Sequence, residues 1–396
     1  MNFASRAAQL QDELAANRHY LHQNAELSLK EYGTTDFLCK KLTEIGIPVT
    51  RFDDYCGCIG TIEGGHPGRT VLLRADIDAL PIDEASGVDY VSVNPGVMHA
   101  CGHDCHTAML LGAAKILWEQ RENLHGTVKL LFQSGEEVFI GSHYYWDRGY
   151  LDDVDAAMGM HVWQTIPAGK MAIQDGYLMA SCDNFTLTIR GLCAHGSTPH
   201  IGHDAIVAAS AVIMNIQSIV GRFANPLEPL VITVGKVRAG KQFNIICDTV
   251  VMEGTIRTYD PDIRALAMQA VGDVAAQTAG IYGCTAELKF DEPEFSVCNR
   301  DPALNQIARD SAAALFGPDV LATTPRATGS EDFSYIMAKI PSSLFIFLGY
   351  YDEEKGCTIP VHNEKFRASD EILPIGAAQY AQFALDYLEK TAGGEA

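Results

Sequence analysis

Short β-rich runs that alternate with helical stretches predict an α/β protein, and a change of rhythm midway predicts a smaller α+β domain inserted into it. Two observations carry this reading. Strands and helices take turns up to about residue 177 and again from about residue 294, the pattern of a buried central sheet. Between them the predicted order is strand–helix–strand–strand–helix–strand, which is ferredoxin-like. The expected parts are therefore 1–177 with 294–396, and 178–293.

The elements follow in order. Residues 3 to 45 read as helix broken near Gly33, with Leu10, Leu14, Tyr20 and Leu21 at roughly helical spacing. Arg69–Leu73 reads as a strand, His106–Gln120 as a helix rich in Ala, Leu and Met, and Thr127–Phe132 and Ala156–Val162 as strands. From Cys182 the run CDNFTLTIRG alternates apolar and polar residues, like a strand covered on one face. A helix over Ala205–Val220, strands over Pro229–Val237 and Thr249–Tyr259, a helix over Pro261–Tyr282 and a strand over Thr285–Phe290 complete the insertion. Helix–strand alternation then resumes with Ala303–Phe316, Ser343–Leu348 and Leu373–Glu389.

Composition narrows the functional classes. The chain has 396 residues, with 29 Lys+Arg against 50 Asp+Glu, a net charge of −21. Such a body repels phosphate backbones and anionic lipid, so neither nucleic acid nor a membrane surface is the expected partner. The 11 cysteines, an odd number spread along the chain, read as reduced thiols. No apolar run is read as approaching the ~18 residues that span a bilayer, and the charged N-terminus lacks the apolar core of a secretory signal. The expectation is a cytoplasmic protein.

Ligand-type residues gather in four segments. His99-Ala-Cys101-Gly-His103-Asp104-Cys105-His106 lies at a helix start, with a thiol and an imidazole suited to zinc or another late first-row metal. Glu136-Glu137 follows a strand; a cation beside one carboxylate relieves their repulsion and leaves the other free as a base. His161 ends the next strand, and His362 lies in a loop after a later one. Alone, the first segment leans toward ligands, while each of the other three is better explained as ordinary core or surface. Their shared position at strand ends of one domain favours a single site.

Six motifs in order carry a family resemblance: Leu73-Arg-Ala-Asp-Ile-Asp-Ala-Leu-Pro81, Met98-His-Ala-Cys-Gly-His-Asp104, Phe132-Gln-x-x-Glu-Glu137, Gly159-Met-His-Val162, Gly254-Thr-Ile-Arg-Thr258 and Gly329-Ser-Glu-Asp-Phe-Ser334. The chain resembles, nearly end to end, the amidohydrolase branch of the aminoacylase/carboxypeptidase metallopeptidases, which includes hippurate and auxin-conjugate hydrolases. The resemblance implies a zinc-peptidase-like α/β/α catalytic domain with an inserted lid that dimerises. It implies two divalent metal ions per subunit (zinc, manganese, cobalt or nickel) held by Cys101, His103, Glu137, His161 and His362, with Cys101 bridging. Glu136 is implied as general base and His195 as donor to the oxyanion, with His200 and His203 competing for that part. Asn244, Arg257 and Gly329 are implied to bind substrate, and Asp78 to orient a metal ligand; Asp76 and Arg74 read as structural.

Three places depart from the family pattern: Ser134-Gly135 where Pro-Ala is usual, Gly196-Ser197-Thr198 where Ala-Ala is usual after the histidine, and Cys247 where Pro is usual. The expected activity is hydrolysis of N-acyl-amino acids by a metal-activated water. The alternatives are a dipeptidase or aminopeptidase of the same superfamily, a metal-dependent binding protein without activity, and a hydrolase using Cys101 as nucleophile.

Overall fold

In the computed structural model, which describes residues 1–392, the chain divides into two compact units. One comprises Met1–Gly176, Cys298–Pro325 and the chain from Asp332 onward; the other comprises Tyr177–Val297 and Arg326–Glu331. The last four residues of the range 294–396 lie outside the described residues.

The larger unit is built on an eight-stranded sheet in the order Val49–Arg51, Gly57–Glu63, His125–Gln133, His66–Asp76, Ala156–Pro167, Ser343–Tyr351, Met171–Ala172, Leu321–Ala322. Its four central strands, from His125–Gln133 to Ser343–Tyr351, run parallel. His66–Asp76 and His125–Gln133 are buried toward their C-terminal ends, and Ala156–Pro167 and Ser343–Tyr351 over their first eight residues, as a sheet covered on both faces requires. The chain visits one neighbour of His66–Asp76 and then crosses to the other, so a crevice opens at the carboxyl ends of these strands. Helices His103–Glu119 and Leu373–Thr391 pack on each other within the same apolar core.

The N-terminal helix is interrupted elsewhere than expected. Helices span Phe3–Gln9, Gln11–Gln23 and Tyr32–Ile45, and the break falls at 24–31, with Gly33 inside the first turn of the third helix. The third helix ends on Gly46, a left-handed residue at φ 103° that serves as its C-terminal stop.

The smaller unit carries a four-stranded antiparallel sheet in the order Thr285–Phe290, Ser181–Arg190, Thr249–Thr258, Leu230–Ala239. Helices Ala205–Arg222 and Pro261–Ile281 share one apolar core with it. Asp204 and Asp260 cap these helices through their side chains. One sequence expectation needs correction here: Ala205–Arg222 is long and apolar enough to cross a membrane by length and composition. The reason is that both its faces are apolar. Ala205, Ala208, Ala209, Val212, Ile216 and Ile219 are buried, while Ile206, Val207 and Met214 are exposed.

A buried charge network fastens the N-terminal helices to the start of helix His103–Glu119. Arg18 Nε donates to Asp104 at 3.0 Å, and its Nη1 reaches Asp370 and the Ala368 carbonyl, both at 2.7 Å. His22 bridges Asp104 at 2.9 Å and Glu84 at 3.0 Å. Burial disfavours the charged His22 ring, but the two carboxylates outweigh it and raise the group to about 9. A raised folded-state value means that the stabilisation is complete below the unfolded value of ~6.5 and is lost as pH rises through the folded one. Urea titrations of wild type and His22→Asn should therefore differ by roughly 2–3 kcal/mol at pH 6 and converge as pH passes 9. A difference that stays constant from pH 6 to 9.5 would show that His22 contributes packing only.

Candidate metal centre

Strand Ala156–Pro167 and the loops that follow the other parallel strands carry the candidate side chains. Cys101 and His103 flank Gly102, whose φ is 88° and whose added Cβ would meet Val162 Cγ2 at 2.5 Å, so only glycine fits. His103 opens its helix. Its Nδ1 faces the Asp78 carbonyl at 2.9 Å and the Asp78 carboxylate at 3.3 Å, which turns Nε2 inward. Glu136 and Glu137 follow Gly135, another left-handed glycine at φ 76°. The Glu137 backbone N–H donates to Asp78 Oδ2 at 2.9 Å. His161 sits in its strand opposite Phe347, with Nδ1 on the Val162 carbonyl at 2.6 Å. His362 is held at φ 63°, unusual for a non-glycine, while its N–H donates to the Ala100 carbonyl at 2.7 Å.

Two trios result that share one sulfur. Ligand atoms of Cys101, His103 and His161 lie within 4.8 Å of one another, and so do those of Cys101, Glu137 and His362. His161 Nε2 and His362 Nε2 stand 3.3 and 3.2 Å from Cys101 Sγ. His362 Nε2 is 3.5 Å from Glu137 Oε1. Glu136 Oε2 lies 3.9 Å from His103 Nε2. Among the described residues, buried His103 Nε2 and Glu137 Oε1 have no hydrogen-bond partner. Leaving such atoms buried and unpaired is costly, and a divalent cation is a partner for both. The donor set of one thiolate, three imidazoles and a carboxylate fits a late first-row metal.

The electrostatics agree with that fit. Burial and the charges of Glu137 and Glu136 push the Cys101 thiol up. Burial raises Glu137 to about 7 against the pull of His103. Burial opposes a charged His103, yet Asp76, Asp78 and Glu137 raise it to about 10. His161 is held far below its ordinary value by burial and by His106, which keeps the ring neutral.

Several residues behind the centre were read as structural or not singled out. Asp76 Oδ1 pairs with His106 Nδ1 at 2.6 Å, and His106 Nε2 accepts the Val162 N–H at 2.9 Å, next to His161. Arg74 joins Asp76 at 2.7 Å, Gln133 at 2.9 Å and Asp332 at 2.8 Å, all buried. The signal available in the sequence was His103-Asp104-Cys105-His106. Residues three apart on a helix share a face, so a second histidine had to lie beside the first.

The smaller unit brings the other candidates together in two places. His195 pairs as an isolated bridge with Ile245, and the Gly196 N–H donates to the Asn244 carbonyl at 2.8 Å. The Ser197 N–H donates to His195 Nδ1 at 3.1 Å, and Ser197 Oγ lies 2.7 Å from it. An amide N–H can only donate, so Nδ1 is the acceptor and the ring proton sits on Nε2. His203 differs: it is tied into the backbone through Leu192, and its ring lies against Gly283. Arg257 Nη1 donates to Ser330 Oγ at 3.1 Å, beside Gly329, whose carbonyl accepts the Ala180 N–H at 3.0 Å.

Comparison with known proteins places the chain. Residues 72–386 match the model of peptidase family M20/M25/M40. The chain is 42% identical over 342 residues to an N-acetyl-L-cysteine deacetylase of Bacillus subtilis, covering 86% of this chain and 81% of the relative. It is 35% identical over 385 residues to thermostable carboxypeptidase 2 of Saccharolobus solfataricus, covering 96% and 97%. Its fold matches the Bacillus subtilis YXEP protein, a dinuclear metal binding peptidase, with a TM-score of 0.84, 33% identity and coverage of 96% and 99%. The fold, the matched span and these relatives agree: the chain belongs to peptidase family M20/M25/M40.

Proposed function

We propose that this protein hydrolyses the amide bond of N-acyl-amino acids at a two-metal centre held by Cys101, His103, Glu137, His161 and His362. The observation that carries the reading is the pair of ligand trios sharing the Cys101 sulfur, with Glu136 beside them. Two divalent ions bound there supply Lewis-acid polarisation and acidify a water. Zinc, manganese, cobalt and nickel are all compatible with the donors. Glu136 takes the proton of the attacking water and returns it to the leaving amine. His195, with its proton on Nε2, donates a hydrogen bond to the oxyanion. Asp78 orients His103. Arg257, with Asn244 and Gly329, receives the carboxylate of the amino-acid half, where a guanidinium fork binds bidentately. The deacetylase and carboxypeptidase relatives both support cleavage that releases an amino acid.

The smaller unit is proposed to act as a lid that dimerises. Its strand Leu230–Ala239 is at the sheet edge, and Val231 and Val237 are exposed there, as are Ile206, Val207 and Met214 of helix Ala205–Arg222. An unpaired edge beside exposed apolar side chains is suited to a second copy. The 11 free cysteines support a reducing, cytoplasmic setting.

Five measurements test this reading. Metal-loaded Glu136→Gln should bind metal like wild type but lose about 10²- to 10⁴-fold in kcat on acyl-amino acids. Near-normal turnover would remove Glu136 from the role. Arg257→Ala should raise KM for acyl-amino acids about 10- to 100-fold, the worth of a charged hydrogen bond, with little change for substrates lacking the carboxylate. Assay of blocked acyl-amino acids against matching free dipeptides separates the amidohydrolase from a dipeptidase. Chelation should abolish hydrolysis, and added divalent metal should restore it. Sedimentation should give the mass of a dimer, and a charged residue in place of Val237 should give a monomer.

A further inference from the structure

The turn that presents Glu136 and Glu137 is gripped from a distant part of the sequence. Glu31 is fully buried at the start of helix Tyr32–Ile45. Its Oε2 accepts the Ser134 hydroxyl at 2.7 Å, and its Oε1 accepts the Gly135 N–H at 3.1 Å. Its carbonyl in turn accepts Thr35 N–H at 2.9 Å and Thr35 Oγ1 at 2.6 Å, and Thr35 Oγ1 accepts the Gly57 N–H at 2.8 Å. Both carboxylate oxygens therefore point at the two residues preceding Glu136. On the far side, Asp78 holds the Glu137 N–H.

Space around the turn is tight. A Cβ on Gly135 would stand 2.7 Å from Leu29 Cδ2 and 3.4 Å from Tyr55 Oη. Leu29 itself is held at φ 63°, a conformation that costs a branched side chain energy. Backbone strain of this kind persists only where surrounding contacts over-determine it. The Leu29 side chain lies against the Gly135 Cα, on the Ser134-Gly135 turn.

We propose that Glu31 is a positioning residue for Glu136: it fixes the Ser134-Gly135 turn, and through it the placement of the base. The inference rests on the reading of Glu136 given above. Burial, reinforced by the charge of Asp78, pushes the Glu31 carboxyl up to about 7. The isosteric amide is therefore a fair substitute: its oxygen accepts the Gly135 N–H and its NH₂ donates to Ser134 Oγ.

The experiment uses the full-length, metal-loaded protein and two readouts, hydrogen exchange and kinetics. Glu31→Ala and Ser134→Ala should speed exchange in peptides covering 134–141 while the rest of the larger unit stays protected. Both should lower kcat about 10- to 100-fold, because a displacement near 1 Å at the base costs that much. KM should stay within about twofold. Glu31→Gln should restore both protection and kcat. The proposal is overturned if Glu31→Ala leaves the turn protected and kcat intact. It is equally overturned if Glu31→Ala loses protection across the whole larger unit, or if Glu31→Gln restores neither local protection nor kcat, since Glu31 would then not act by holding this turn. Failure of the functional reading shows separately, as wild type that hydrolyses no acyl-amino acid; the exchange pattern then decides the role of Glu31.

Discussion

The centre depends on one constraint, the balance of charge inside a dry crevice. Asp76, Asp78 and Glu136 are all 5% exposed or less, and Glu137 is nearly buried beside them. Carboxylates so desolvated require positive charge within reach. Arg74 supplies part of it, clamped between Asp76 and Asp332. His103 supplies the rest as a protonated ring, raised to about 10 by its acidic neighbours, while Glu137 is pushed up to about 7. Both shifts are upward, so the cluster holds protons in positions that a cation could take instead. Metal binding and proton release are then two descriptions of one exchange.

The fold meets this constraint with geometry that side-chain chemistry alone could not. Four central strands run parallel, so the loops after them bring residues far apart in sequence to one edge. The turns are sharp, and two of them need a left-handed glycine immediately before the functional residue: Gly102 before His103 and Gly135 before Glu136. His362 accepts the same left-handed conformation without being glycine, anchored by its N–H on Ala100. Behind the ligands, Asp78 touches both His103 and the Glu137 backbone, so one aspartate couples two of the proposed ligands.

Much of this was legible in the residues, for definable reasons. The strand over Thr285–Phe290 and the helix beginning at Pro261 were readable because period-2 alternation and an Asp-Pro start are local signals. Cys101, His103, Glu136, Glu137, His161 and His362 were readable as candidates because strand ends concentrate function. The rest is non-local. Nothing near Glu31 announces that its carboxylate reaches Ser134, 103 residues away. Asp76 was read as structural because its partner His106 belongs to a helix whose docking no local pattern specifies. The apolar length of Ala205–Arg222 was missed because alanines and a few polar residues break up the run, while the sum over 18 residues remains apolar.

The departures from the family pattern also acquire a physical sense. Ser134 replaces a residue that has neither hydroxyl nor N–H, and here both are used: the hydroxyl on Glu31 and the N–H on Tyr145 at 3.2 Å. Ser197 occupies a position where alanine is usual, and its hydroxyl adds a second contact to the backbone N–H on His195 Nδ1. A histidine that must donate to a developing negative charge needs its proton on the outward nitrogen before the reaction begins. Ser197 enforces that tautomer from the loop itself, without a buried carboxylate to orient the ring. Under the proposed function, the outward Nε2–H is then already in place to donate to the developing negative charge.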